Sequence, residues 1–149
     1  MATTPTQTHT LDHSPLNLSF NADTDFTVLA DYCERFADSL IASAKPGERR
    51  VLCYRLAECL ELLYSTLNDD IPEHLIESFT VDSIPAQVPT FEPDPDDLCR
   101  YCLTLANILN SHNFSASEEK ALTGLLFELT GYFADELRTP RFVRTALTM

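Results

Sequence analysis

Three observations predict an all-α fold. The stretch 48–67, ERRVLCYRLAECLELLYSTL, carries Leu52, Leu56, Cys59, Leu60, Leu63 and Leu67 at steps of four, three, one, three and four. That spacing lines six residues along one stripe of a helix, with Val51, Leu62 and Tyr64 widening it. Three further stretches show the same period. The chain holds 149 residues but only 3 Gly and no Trp, which suits helices better than a turn-rich β fold. A helix as apolar as 48–67 needs partners to cover it. The fold expected is therefore a four-helix bundle, with an extra short helix and a long Pro-rich loop between helices two and three. Residues 1–20 are expected to form a flexible N-terminal arm and 21–149 a single helical domain.

Taken in order, the arm is rich in Thr, Pro, Ser and His. Leu16, Leu18 and Phe20 alternate at its end, one extended run that is too little to make a sheet. Helix one is expected to start at Asp23 or Thr24, either of which can cap free N–H groups. Its stripe is Leu29, Tyr32, Cys33, Phe36 and Leu40, flanked by Phe26 and Ile41. Lys45-Pro46-Gly47 ends it, because proline disfavours helix at the residue before it and glycine permits a turn. Helix two runs from Pro46 or Glu48 to Leu67, with Leu60 central to the core.

Four prolines, Pro72, Pro85, Pro89 and Pro93, interrupt the next stretch. A short helix is expected over 73–79, with Leu75, Ile76 and Phe79 inward. Residues 80–93 follow as a long connection, and Val81, Ile84, Val88 and Phe91 are expected to lay it against the bundle. Asp94-Pro95-Asp96-Asp97 is a strong start signal for helix three. Asp94 is the expected cap, and the next two acids face the positive end of the helix dipole. The stripe of this helix is Leu98, Tyr101, Cys102, Leu105, Ile108 and Leu109. Helix four starts at Ser115, whose spacing to Glu118 reads as a capping box. Leu122, Leu125, Leu126, Leu129, Phe133 and Leu137 form its apolar face, and Gly124 and Gly131 offer room for a close helix. Pro140 stops it, and 141–147 has the apolar residues for a last turn. Short connections near 44–48 and 111–115 make each flanking pair an antiparallel hairpin.

Charge separates the function classes. Asp and Glu number 23 against 10 Lys and Arg, a net charge of −13. Phosphates and anionic membranes would be repelled by most of such a surface, so neither direct nucleic-acid binding nor membrane binding is expected. No run approaches a membrane span, and the N-terminus lacks the basic and apolar regions of a secretory signal. A cytoplasmic protein is expected. Five Cys, an odd count, read as reduced thiols.

Candidates for chemistry are few. Cys99 and Cys102 form a CxxC that follows no strand and has no second pair to complete a zinc site. They read as buried core thiols, with a redox pair or a metal site as the alternatives. The four His match no metal or acid–base motif, and three Gly cannot supply a phosphate loop. No enzymatic activity, cofactor or metal is expected. The distribution of acids is more telling. Between Arg55 and Arg100 there is no Lys or Arg, while eleven of the 23 acids fall there. A solvated acidic surface is the plain explanation. The sharper one is a patch that docks a basic protein such as a nucleic-acid-binding protein, nuclease or toxin, with spaced carboxylates standing where phosphates would, as in a DNA mimic. Its expected contact residues are Asp69, Asp70, Glu92, Asp96 and Asp97. The alternative is a chaperone or adaptor for apolar helices, acting as a homodimer.

Overall fold

In the computed structural model, which describes residues 14–87 and 91–145, every regular element is helical. The α-helices are α1 (Phe26–Ala42), α2 (Pro46–Thr66), α3 (Pro95–Ser111) and α4 (Ala116–Arg138). No strand occurs among the described residues. The chain divides into two compact units, residues 1–82 and 83–149, each built on one helical hairpin.

In the first unit, α1 packs on α2 around Leu29, Phe36, Leu52 and Cys59, all essentially inaccessible to solvent. The stripe of α1 is the one its spacing predicts. That of α2 is rotated: Cys59 is the buried residue, and Leu60, expected at the centre, is 49% exposed. One residue along a helix is a turn of about 100°, and α1 covers a single face of α2. The small Cys59 side chain occupies the line of closest approach, where its thiol donates to the Leu29 carbonyl at 3.2 Å. Leu67 and Tyr64 are exposed for the same reason, as is Ile41 on α1.

The segment before α1 also joins this core. A 3-10 turn at Pro15–Asn17 is followed by Leu18 and Phe20, and Leu16, Leu18 and Phe20 pack against the cluster. Arg55 holds them there. Its guanidinium lies 4.4 Å from the centre of the Phe20 ring, donates to the Leu18 carbonyl and pairs with Glu58 at 3.1 Å. The remainder of the expected arm, residues 1–13, lies outside the described residues.

Helix ends follow local chemistry, with two corrections. The cap of α1 is Asp25, not Asp23 or Thr24: its carboxylate accepts from the Thr27 N–H and hydroxyl, both at 2.9 Å. Asp94 holds the N-cap position of α3, but its side chain makes no capping hydrogen bond, and its backbone carbonyl accepts from Leu98 N–H at 2.9 Å. At Ser115 both arms of the capping box are present, at 3.2 and 2.8 Å. The end of α1 is closed from α2, where Arg49 donates to the carbonyls of Leu40 and Ser43 at 2.7 and 3.1 Å.

Over 73–79 the chain makes two 3-10 turns, Glu73–Leu75 and Glu77–Phe79, in place of a short α-helix. Ser78 and Thr80 hydroxyls bond the carbonyls of Leu75 and Ile76 at 2.7 and 2.6 Å, a local alternative to the α-helical pattern. Ile76 and Phe79, expected inward, are about half exposed, although Phe79 stacks on Phe26 with centroids 5.8 Å apart. Val81 and Ile84 are exposed rather than laid on a core. Val88 falls outside the described residues.

In the second unit α3 packs on α4, and Leu98 is the fully buried residue among those described. Tyr101, Leu125 and Leu137, expected inward, are about half exposed, whereas Leu105, Leu122, Leu126 and Leu129 are partly covered. Phe91 meets Tyr132 edge to face at 5.3 Å, and the Tyr132 hydroxyl donates to the Phe91 carbonyl at 3.0 Å. Nothing lies within 4 Å of where a Cβ would stand at Gly124 or Gly131, so neither serves a close helix approach here. Residues 141–145 carry no regular structure, and Leu147 lies outside the described residues.

These burials set a stability order that chemical denaturation can read. Phe36→Ala should cost about 3–5 kcal/mol and Leu60→Ala about 1 kcal/mol or less. Ser115→Ala should cost roughly 0.5–2 kcal/mol through its cap, while Asp94→Ala should stay within about 0.5 kcal/mol. Equal losses at Phe36 and Leu60 would contradict the rotated face of α2.

Candidate acidic site

Hairpin closure sets the start of α1 beside the end of α2, and a pocket of about 430 Å³ opens there. Phe26, Leu67, Ile71 and Pro72 give it an apolar lining. Asp23, Asp25, Asp69 and Asp70 supply four carboxylates, with His74 beside them.

Each side chain has a local reason for its place. Residues 21–24 form a turn in which Asn21 N–H donates to Thr24 Oγ1 at 2.9 Å, and Asp23 N–H donates to Asn21 Oδ1 at 2.8 Å. This turn fixes Asp23 and leads into the cap at Asp25. At the other wall, Asp69 N–H donates to the Thr66 carbonyl at 3.0 Å, turning the chain as α2 ends. Pro72 then directs it into the 3-10 turns, which carry His74 back to α1. There His74 Nε2 lies 3.2 Å from Asp25 Oδ2.

The four carboxylates differ in circumstance. Thr27, through its backbone N–H and then its hydroxyl, holds the Asp25 carboxyl below the ordinary range, with His74 adding to this. Asp25 also sits at the positive end of the α1 dipole. Asp69 and Asp70 sit at the negative end of α2, whose last turn holds no basic residue. Among the described residues the side chains of Asp23, Asp69 and Asp70 have no hydrogen-bond or ion-pair partner.

The candidate residues of the acidic stretch divide between the units. Asp69 and Asp70 line the pocket of the first. Glu92, Asp96 and Asp97 belong to the second, where Asp94, Asp96, Asp97 and Arg100 rim a shallow depression at the start of α3. Asp97, half exposed, pairs at 3.9 Å with Arg100, whose side chain is largely exposed. Desolvation pushes the Tyr132 phenol up, with Glu136 and then Glu92 adding to it. Asp23, Asp25 and His74 line the pocket without being among the contact residues expected from the sequence. Their signal was available: a short connection between two apolar helices makes the start of the first a neighbour of the end of the second.

The thiols are arranged otherwise than expected. Cys99 is exposed and Cys102 half-buried. Cys59 is the buried thiol, and burial, followed by the neighbouring Cys33 thiol, pushes it up to about 12. Among the described residues no group of three or more His, Cys, Asp or Glu is placed to hold a metal ion. No described helix is long and apolar enough to cross a membrane.

No protein-family model, curated protein or solved structure matches the chain.

The depressed Asp25 carboxyl links the site to acid stability. Its contribution is complete above the ordinary value of 3.8 and is lost as pH falls from there through the depressed value. Carboxyl NMR should place the Asp25 midpoint below 3.8, and Asp25→Asn should flatten the acid limb of the stability curve. A midpoint at or above the ordinary value would refute the cap assignment.

Proposed function

We propose that this is a non-enzymatic binding protein that docks and neutralises a basic protein partner through its acidic surface. One observation supports the reading above the others. Asp69 and Asp70 lie unpartnered at the negative end of α2, beside an apolar-lined pocket. Like charge at that end of a helix is unfavourable, so an incoming cation relieves a standing repulsion while the apolar lining takes the stem of its side chain. With the net charge of −13, basic partners are also steered in at long range. A nucleic-acid-binding protein, nuclease or toxin fits this chemistry, and with such a partner the carboxylates act as a DNA mimic. Glu92, Asp96 and Asp97 are proposed as contacts on the second unit, with Asp96 the most available because Asp97 is drawn to Arg100. The setting would be the cytoplasm.

The alternative, an adaptor for apolar helices, draws on α4. There Phe127 is largely exposed beside a groove formed by Leu126, Gly131 and Ala134. Salt separates the two readings, because charge-led docking weakens steeply with ionic strength and apolar docking does not.

The test is affinity capture from host extract at low and high salt, with wild type beside Asp69→Asn/Asp70→Asn. Basic proteins should be retained by wild type at low salt and released by high salt or duplex DNA. The double variant should retain them at least about tenfold less, at an unchanged melting temperature. Retention that ignores both salt and the double variant would reject the acidic-docking reading.

Closure of α1 to α4 into one four-helix bundle, as a single domain over 21–149, is part of the same proposal. One cooperative unfolding transition is expected by calorimetry, and two separate transitions would argue against it.

A further inference from the structure

The chain carries one segment whose chemistry is the reverse of the pocket. From residue 137 to 149 there is no acid, while Arg138, Arg141 and Arg144 fall within seven residues. Arg138 is engaged within α4, 3.4 Å from Asp135 and donating to the Ala134 carbonyl at 3.1 Å. Arg141 and Arg144 make no ion pair among the described residues. Between them stand Phe142 and Val143, each 94% exposed. The segment thus offers a side-chain ring and two cationic groups that no described residue engages. The pocket at the start of α1 offers the complement: an apolar lining from Phe26, Leu67 and Ile71, with the unpartnered carboxylates of Asp23, Asp69 and Asp70 around it.

We propose that residues 141–144 of one copy of this chain dock into this pocket on a second copy. In an extended segment alternate side chains share a side, so Phe142 and Arg144 enter together. The ring meets the apolar lining, and the guanidinium meets the carboxylates at the end of α2. Reciprocal exchange between two copies satisfies both pockets and both segments, giving a closed two-fold dimer. The occupant is assigned by charge complementarity: no other apolar stretch among the described residues is bracketed by unpaired bases and free of acids. Long-range repulsion between copies of net charge −13 opposes this contact. The dimer is therefore expected to be weak, and a basic external partner displaces it from the same carboxylates. The proposal rests on the pocket reading given above. Its test uses the pure full chain alone, so its failure leaves capture of a basic partner to stand or fall separately.

Salt is a poor readout here, because it screens the local attraction and the global repulsion together. Charge exchange is a better one. Sedimentation velocity across a wide range of concentrations should show a reversible dimer for the wild type. Arg141→Glu/Arg144→Glu should abolish it, as should Asp69→Lys/Asp70→Lys, each with the melting temperature kept within a few degrees. Phe142→Ala should weaken it about tenfold through loss of the buried ring. Mixing the two charge-reversed variants should restore a dimer, since both of its contacts are again between opposite charges. A chain that stays monomeric at every concentration overturns the proposal. So does a dimer that persists in both charge-reversed variants, or a mixture that fails to associate.

Discussion

The contact between α1 and α2 through Leu29, Phe36, Leu52 and Cys59 sets the position of everything else in the first unit. Cys59 is central because it is small. Its thiol reaches the Leu29 carbonyl at 3.2 Å, a closeness that a leucine at the same place would prevent. The larger Leu60 is turned aside in consequence, and Leu56 and Leu63 close the interface to either side. A three-residue connection then leaves no freedom in how the hairpin closes, and Arg49 ties it by taking the last carbonyls of α1. The far ends of the two helices are brought together by that geometry, and the pocket is its direct result.

What the pocket holds is an electrostatic imbalance. One wall is the positive start of α1, where Asp25 is bound by Thr27 and approached by His74. The other is the negative end of α2, where Asp69 and Asp70 have no such support. A carboxylate at a helix start stabilises the fold, and one at a helix end opposes it. Stability alone therefore accounts for Asp25 but not for Asp69 and Asp70. Their cost is small and solvent-screened, as at any open surface, but an incoming base reverses its sign. The same reasoning ranks the acids of the second unit lower, since Asp96 and Asp97 stand at the start of α3, where the dipole already welcomes them.

Periodicity made the four helices legible, because covering an apolar stripe leaves few alternatives. Cap chemistry made Ser115 legible, where a side chain and its partner three residues on must both be present. At Asp94 the same kind of signal misled: aspartate before proline suits the position, but its backbone alone makes the bond. The rotation of α2 was not legible, since Cys59 and Leu60 are adjacent and both apolar, and only packing against α1 separates them. Nor was the turn at 73–79, where serine and threonine hydroxyls compete with the helical pattern for the same carbonyls. For the site, Asp69 and Asp70 could be found by charge density along the chain. Asp25 and His74, 49 residues apart, meet only once the hairpin is closed, so their signal lies in the short connection between the helices and not in charge density. Arg55 counted in the sequence as the edge of a base-free stretch, yet in the fold it clamps Phe20 and Leu18 to the core.

The claim that hairpin closure builds the pocket is tested most directly by nuclear Overhauser contacts in the labelled protein in solution. Strong contacts are expected between Cys59 and Leu29, and with them contacts between the His74 ring and Asp25, which both line the pocket and whose Nε2 and Oδ2 lie 3.2 Å apart. Contacts between Cys59 and Leu29 without any between Asp25 and His74 would mean that the hairpin closes and the pocket does not form, which contradicts the account.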